Sequence, residues 1–199
     1  MIAALYVQAN GCYTGLDGVD CWDEERDARK YAGPWPVVAH PPCARWSQLA
    51  GLVESKGGGR RGDDGGCFKS ALASVRNWGG VLEHPARTSA FAAHGLPVPS
   101  RVGTWGQTLC GGHVCSVEQG RYGHMAAKST WLYAFGVELP SLRWGTGLRA
   151  GFVVARSRNE KHREDRRLHM PKRLRHVTPP EFRDLLIGMA RSHTNQGTQ

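Results

Sequence analysis

The sequence predicts an α/β fold built on a mostly parallel sheet, and three observations carry that prediction. Two apolar runs each stop at proline and present a chemically active side chain at the stop. These are Val37-Val38-Ala39-His40-Pro41-Pro42-Cys43 and Gly79-Gly80-Val81-Leu82-Glu83-His84-Pro85, with Cys43 and Glu83 forty positions apart. Proline cannot continue a strand ladder, so whatever follows is held at a strand's end. Between the runs, Phe68, Leu72, Val75 and Trp78 recur on one helical face, which completes a strand-helix-strand unit. At 199 residues the chain is long enough to bury one substantial core without disulfide or metal support.

The remaining elements follow in order. Ala3 to Ala9 reads as the first strand, and Asn10 to Gly18 as a turn-rich connection. A short polar helix is expected from about Asp23 to Tyr31, closed by Gly33-Pro34. Lys56 to Gly66 holds too much glycine for regular structure and reads as a mobile loop. Phe91 to Ser116 is irregular, with loops or short strands, whereas Thr130 to Phe135 and Gly151 to Ala155 read as strands. Thr178-Pro179-Pro180-Glu181 is an N-cap with proline in the first turn, opening a helix to about Ser192 with Phe182, Leu185, Leu186 and Met189 on its apolar side. Residues 1–155 thus form an α/β core, 156–177 a basic segment, and 178–199 a final helix with a frayed tail.

Six cysteines at positions 12, 21, 43, 67, 110 and 115 lack the spacing of a disulfide scaffold, so a reducing, cytoplasmic setting is expected. Met1 to Val7 is apolar but too short for a membrane span, and no basic residue precedes it as in a signal peptide, so no membrane partner is expected. Net charge is +9, and between Arg156 and Arg175 nine Lys or Arg face three acids, placing +6 of it in one segment. Concentrated positive charge favours a polyanionic partner, because each neutralised phosphate releases counterions. A solvated basic arm is the plainer alternative. No signal of oligomeric state is present.

A thiol and a carboxyl group at two strand ends form a candidate nucleophile and proton-donor pair. Alone, Cys43 would read as a small buried residue and Glu83 as a capping or salt-bridged carboxylate. Their matched placement favours chemistry. Cys110, His113 and Cys115 supply three possible zinc ligands without a fourth, and that stretch is read as a loop, with zinc the lesser alternative.

Pro41-Pro42-Cys43, Trp46-Ser47, Arg61-Gly62-Asp63 ahead of a helix, Leu82-Glu83, Gln119-Gly120-Arg121 and His176-Val177-Thr178-Pro179-Pro180 occur in that order. This series resembles the catalytic half of the DNA cytosine carbon-5 methyltransferases, and small phage-borne relatives of them. In that family a Pro-Pro-Cys-x-x-Phe-Ser motif carries the nucleophile and Glu-Asn-Val the acid; here Trp46 replaces the phenylalanine and His84-Pro85 the Asn-Val. Gly123 stands where the family's Gln-x-Arg-x-Arg element has its second arginine. The resemblance implies a shortened Rossmann-like methyltransferase core. The family's Phe-x-Gly-x-Gly cofactor loop is replaced by Gln8-Ala9-Asn10-Gly11-Cys12, and no target-recognition domain is present.

The implied chemistry starts with a Cys43 thiolate adding to carbon 6 of cytosine, which makes carbon 5 nucleophilic toward a one-carbon electrophile. Glu83, its pKa raised by burial, would protonate ring nitrogen 3. Arg45 or Arg121 would lower the pKa of Cys43. The base must leave the duplex to reach such a site. Trp46 and Ser47 beside the nucleophile, with Arg45, Arg60, Arg61, Arg121, His124 and Lys128, are the candidate nucleic-acid contacts on DNA. The donor is S-adenosylmethionine by resemblance, or 5,10-methylenetetrahydrofolate by the same Cys-plus-acid logic. The alternative is a non-catalytic protein that recognises a flipped or modified base.

Overall fold

The two proline-terminated runs lie side by side in the computed structural model, which describes residues 1–100, 103–145, 152–153 and 168–193. Strands β1 (Ile2–Leu5), β2 (Val19–Trp22), β3 (Val37–Ala39) and β4 (Gly80–Pro85) are parallel, in the order β2-β1-β3-β4. The chain moves outward from β1 to β2 and then crosses to the other side for β3, so the strand order reverses between β1 and β3. Beyond β4 come β7 (Ser129–Phe135), β6 (His113–Glu118) and β5 (Gly106–Gln107), each antiparallel to its neighbour.

The sheet is therefore mixed, with three parallel and three antiparallel pairings, and not mostly parallel as expected. The physical reason is connection length. A parallel neighbour requires a crossover, whereas the short segments joining β5 to β6 and β6 to β7 permit only antiparallel return. The described fold is thus α/β with a seven-stranded mixed sheet.

Helices cover both faces. On one face α2 (Cys67–Trp78) packs Phe68, Ala71, Leu72 and Val75 against Val37, Ala39, Leu82 and Tyr133. On the other, α5 (Pro180–Arg191) packs Phe182, Leu186, Met189 and Ala190 against Ile2, Ala4, Val38 and Val81. Alternation along each strand assigns these faces: His40 and Glu83 share the α5 side, while His84 turns to the α2 side. Short helices α1 (Ala50–Ser55), α3 (Ala90–Ala93) and α4 (Lys172–Arg175) complete the described set, with a two-residue parallel pair of β8 (Phe152–Val153) and β9 (Leu168–His169).

Several boundaries differ from the sequence reading. The expected helix at Asp23–Tyr31 is only a 3-10 turn, Ala28–Lys30, because Asp27 adopts φ 54° and its carboxylate accepts from the Arg29 N–H. Ahead of it lies β2, an edge strand paired with β1 that the sequence reading did not foresee. The last helix begins at Pro180 with Pro179 at the cap position, leaving Thr178 one residue outside it and without a capping bond. Of the basic segment, 156–167 lies outside the described residues, as do 194–199 of the expected frayed tail.

The glycine-rich stretch is tied down. Gly62 N–H donates to the Arg45 carbonyl, and the Arg45 guanidinium lies so close over Gly59 that a Cβ there would sit 2.1 Å from it. At its end, Asp64 accepts from Trp46 Nε1 at 2.7 Å, Phe68 N at 2.8 Å and Gly66 N at 3.0 Å. One carboxylate thus joins the segment after Cys43 to the start of α2. Asp64→Ala is expected to lower unfolding free energy by about 1–2 kcal/mol in urea titrations; a change below about 0.5 kcal/mol would remove this tie from the account.

Candidate functional site

Strand β3 ends where its donors end. His40 N–H still reaches the Leu5 carbonyl at 3.0 Å, but Pro41 and Pro42 offer no N–H, and Cys43 (φ −100°, ψ −9°) opens a 3-10 turn, Ala44–Trp46. The thiol is therefore fixed at the carboxyl edge of the sheet beside the end of β4. In open α/β sheets this edge, near a reversal of strand order, is where ligands bind.

On the α5 side, Glu83 is 7 % exposed and both its oxygens are occupied. Oε2 lies 3.0 Å from His40 Nδ1, and Oε1 accepts from Gln119 Nε2 at 3.0 Å. Gln119 Nε2 also donates to Thr130 Oγ1 at 2.9 Å, and His40 Nε2 lies 2.8 Å from the Tyr13 hydroxyl. With His40 neutral, one proton arrangement satisfies the line: Nδ1–H donates to Glu83 and Nε2 accepts from Tyr13. Tyr13 is itself buried, packed on the α5-side core beyond the ends of β1 and β3.

Burial pushes the Glu83 pKa up, but the His40 hydrogen bond and the charge of Lys128 outweigh it and hold the group at about 2. This reverses the expectation of a carboxylic acid raised toward neutrality. The same holds for the nucleophile. Burial, followed by the negative charge of Glu83, raises the Cys43 thiol above its ordinary value, with Lys128 the opposing cation. Arg45 and Arg121 do not act on it. The resting site is a neutral thiol beside an ionised carboxylate.

On the α2 side, Cys43 lines a cavity of about 180 Å³ with Trp46, Ser47, Gln48, His84, Pro85, Ala86, Arg87 and Thr88. His84 is fully buried, edge-on to Phe68 with ring centroids 5.2 Å apart. Neither of its ring nitrogens has a hydrogen-bond partner of good geometry, though the nearby Pro42 carbonyl favours the protonated ring. Burial depresses its pKa to about 4 against the partial opposition of Glu83, so the imidazole is neutral. Glu83 does not line this cavity. Gln48, Ala86 and Arg87 also line a second cleft of about 860 Å³, walled by Val98, Glu118, Ser129 and Trp131, so the two spaces adjoin.

The other expected contacts divide. Trp46 is largely buried, with its indole N–H on Asp64, and with Ser47 it walls the Cys43 cavity. Lys128 is drawn to the site, with Nζ 3.3 Å from the Val177 carbonyl and its charge felt by both Cys43 and Glu83. His124 is buried and pins its own turn through Nδ1, near the N–H and the carbonyl of Ala126. Arg60 and Arg61 are exposed on the glycine-rich stretch, and Arg121 is exposed on the turn after Gln119. None of these three lines either cavity.

His40, Tyr13, Gln119, Thr130 and His84 are the site residues the sequence reading passed over. His40 had a signal, a titratable residue closing an otherwise apolar strand, and Gln119 heads the motif from which only Arg121 was drawn. Among the described residues no group of three or more His, Cys, Asp or Glu is placed to hold a metal, and Cys115 is buried in the α5-side core. No helix among them is long and apolar enough to cross a membrane. Compared with protein-family models, curated proteins and solved structures, the chain shows no significant match.

His84 and Glu83 make stability pH-dependent in the same direction. A buried histidine held at about 4, against an ordinary 6.5, takes up a proton more readily when unfolded. Stability is therefore full above pH 6.5 and falls as pH drops toward 4, by an amount on the order of 3 kcal/mol. Glu83 adds a further loss below its ordinary 4.5, as pH falls toward 2. Chemical denaturation at pH 7.0 and about 4.5 should show a marked drop for wild type and a much smaller one for His84→Asn. Equal drops in both proteins would mean that His84 is not buried in neutral form.

Proposed function

We propose that this chain takes a cytosine base out of a DNA strand and transfers a one-carbon unit to carbon 5 through a covalent adduct at Cys43. The observation that carries the reading is the placement of Cys43, a thiol in the wall of a small cavity at the carboxyl edge of the sheet, where a larger cleft adjoins. The small cavity suits one flat ring between Trp46 and His84. The adjoining cleft suits the nucleotides on either side of it.

The resting protonation states are compatible with this chemistry once protons are counted. A neutral thiol and an ionised carboxylate hold one proton between them. Moving it from sulphur to Glu83 creates the nucleophile and the acid together, with no net proton gained or lost. The thiolate then adds to carbon 6 as ring nitrogen 3 is protonated, carbon 5 takes the one-carbon unit as its bond to the carrier breaks, and loss of the carbon-5 proton expels the Cys43 thiolate and releases the base. Lys128 stabilises the anionic member of the pair in either state. Glu83 lies outside the cavity with both oxygens engaged, so it must release His40 or Gln119 and turn toward the cavity to reach a ring.

The donor is either S-adenosylmethionine or 5,10-methylenetetrahydrofolate. The residues at the strand-order reversal do not fit an adenosyl group: Tyr13 packs there with its hydroxyl on His40, and the Phe-x-Gly-x-Gly pattern is absent after β1. A second reading, a non-catalytic protein that recognises a flipped or modified base, is favoured by one observation. Cys43 and Glu83 rest in the protonation states least suited to attack.

Nucleoside mass spectrometry separates the readings. Single-stranded DNA, and duplex carrying a mismatched cytosine that flips easily, are incubated with each donor in turn. The transferase reading expects a cytosine heavier by one carbon unit with one of the donors. Cys43→Ser should abolish that gain while oligonucleotide binding persists. No gain on any substrate with either donor, alongside intact binding, would leave the base-recognition reading.

A further inference from the structure

Three residues other than glycine adopt positive φ among the described residues: Tyr6, Asp27 and Arg87. Wherever else the described backbone turns this way, the chain uses glycine. The Asp27 conformation is supported locally, since its side chain accepts from Arg29 N–H. Arg87, at φ 63° in the turn after β4, has no such support. Its guanidinium is exposed and makes no hydrogen bond or ion pair with any described residue. A long side chain held in a left-handed conformation without a local bond is strain of the kind that collects at binding sites.

Arg87 lines both the Cys43 cavity and the larger cleft, and it is the only Lys or Arg among the described residues lining either. His84 is neutral, so Arg87 is the positive charge at the junction. Glu118 also lines the larger cleft, with its Oε1 accepting from Ser129 Oγ. The backbone on either side of Arg87 is fixed: Ala86 N–H donates to the Ser129 carbonyl, and Thr88 Oγ1 accepts from Ala90 N–H. The guanidinium is thus carried on a braced turn.

We infer that Arg87 is a phosphate clamp, binding the phosphate ester next to the base whose ring enters the Cys43 cavity. A guanidinium presents paired N–H donors that match two phosphate oxygens. This inference rests on the DNA reading above and adds to it the residue that fixes the target nucleotide's backbone at the junction of the two spaces.

Arg87→Gly is the informative variant, because glycine tolerates φ 63° and removes only the side chain. Thermal melting should show the variant at least as stable as wild type. Fluorescence anisotropy with a labelled single-stranded oligodeoxynucleotide should show about 5- to 10-fold weaker binding near 50 mM salt, and a slope of log affinity against log salt smaller by about 0.7. Unlabelled dCMP as competitor reads the same contact on a free nucleotide; a weaker competition by dCMP in the variant supports the clamp as well. Unchanged affinity and salt slope in Arg87→Gly would overturn the clamp alone, whereas wild type that fails to bind both oligonucleotide and dCMP would overturn the clamp and the nucleic-acid reading together.

Discussion

A carboxylate withdrawn from water has to be met by donors, and Glu83 sits near the middle of the sheet with a charge that burial alone would remove. Its partners come from separate parts of the chain: His40 from the end of β3, Gln119 from the turn after β6, and through them Tyr13 from the loop after β1 and Thr130 from β7. An unpaired ionised group in this place would cost several kcal/mol, of order 3–5 when one partner of a buried pair is lost. The line from Tyr13 to Thr130 is therefore what fixes the loops at the strand ends relative to one another. The Tyr13 loop, which closes the edge beyond β1 and β3, takes its position from the same line.

The end of β4 separates two environments with one peptide. Glu83 faces the α5 side in a fully hydrogen-bonded polar network, and His84 faces the α2 side among Phe68 and Trp46 with no hydrogen bond. Cys43 stands at the sheet edge between them, in the wall of the His84 cavity and within the field of Glu83. Cys43 and Glu83, paired in the sequence by their matching strand ends, approach from opposite faces of the sheet.

Much of this arrangement was legible before the structure. The proline stops placed Cys43 and Glu83 at neighbouring strand ends, and the period of Phe68, Leu72 and Val75 located α2 to within a residue. The antiparallel half was less legible, since β6 lies in a stretch with no clear alternation and is held by pairing to β7. Protonation was misjudged for a particular reason. Burial of Glu83 was foreseen, but not His40 or Lys128, and a hydrogen bond to the charged form outweighs desolvation. Arg87 carried no sequence signal, because backbone strain is a property of the folded turn.

Asp64 joins the wall of the Cys43 cavity to the beginning of a helix. Its Oδ2 atom holds both the indole N–H of Trp46 and the N–H of Phe68, a first-turn donor that lacks a partner within the helix. Swinging Trp46 outward to widen the cavity would give up the indole bond and disturb the atom that caps α2. The breadth of the cavity is thereby linked to the integrity of a helix in the main core, and only its open side, toward the larger cleft, is free to yield.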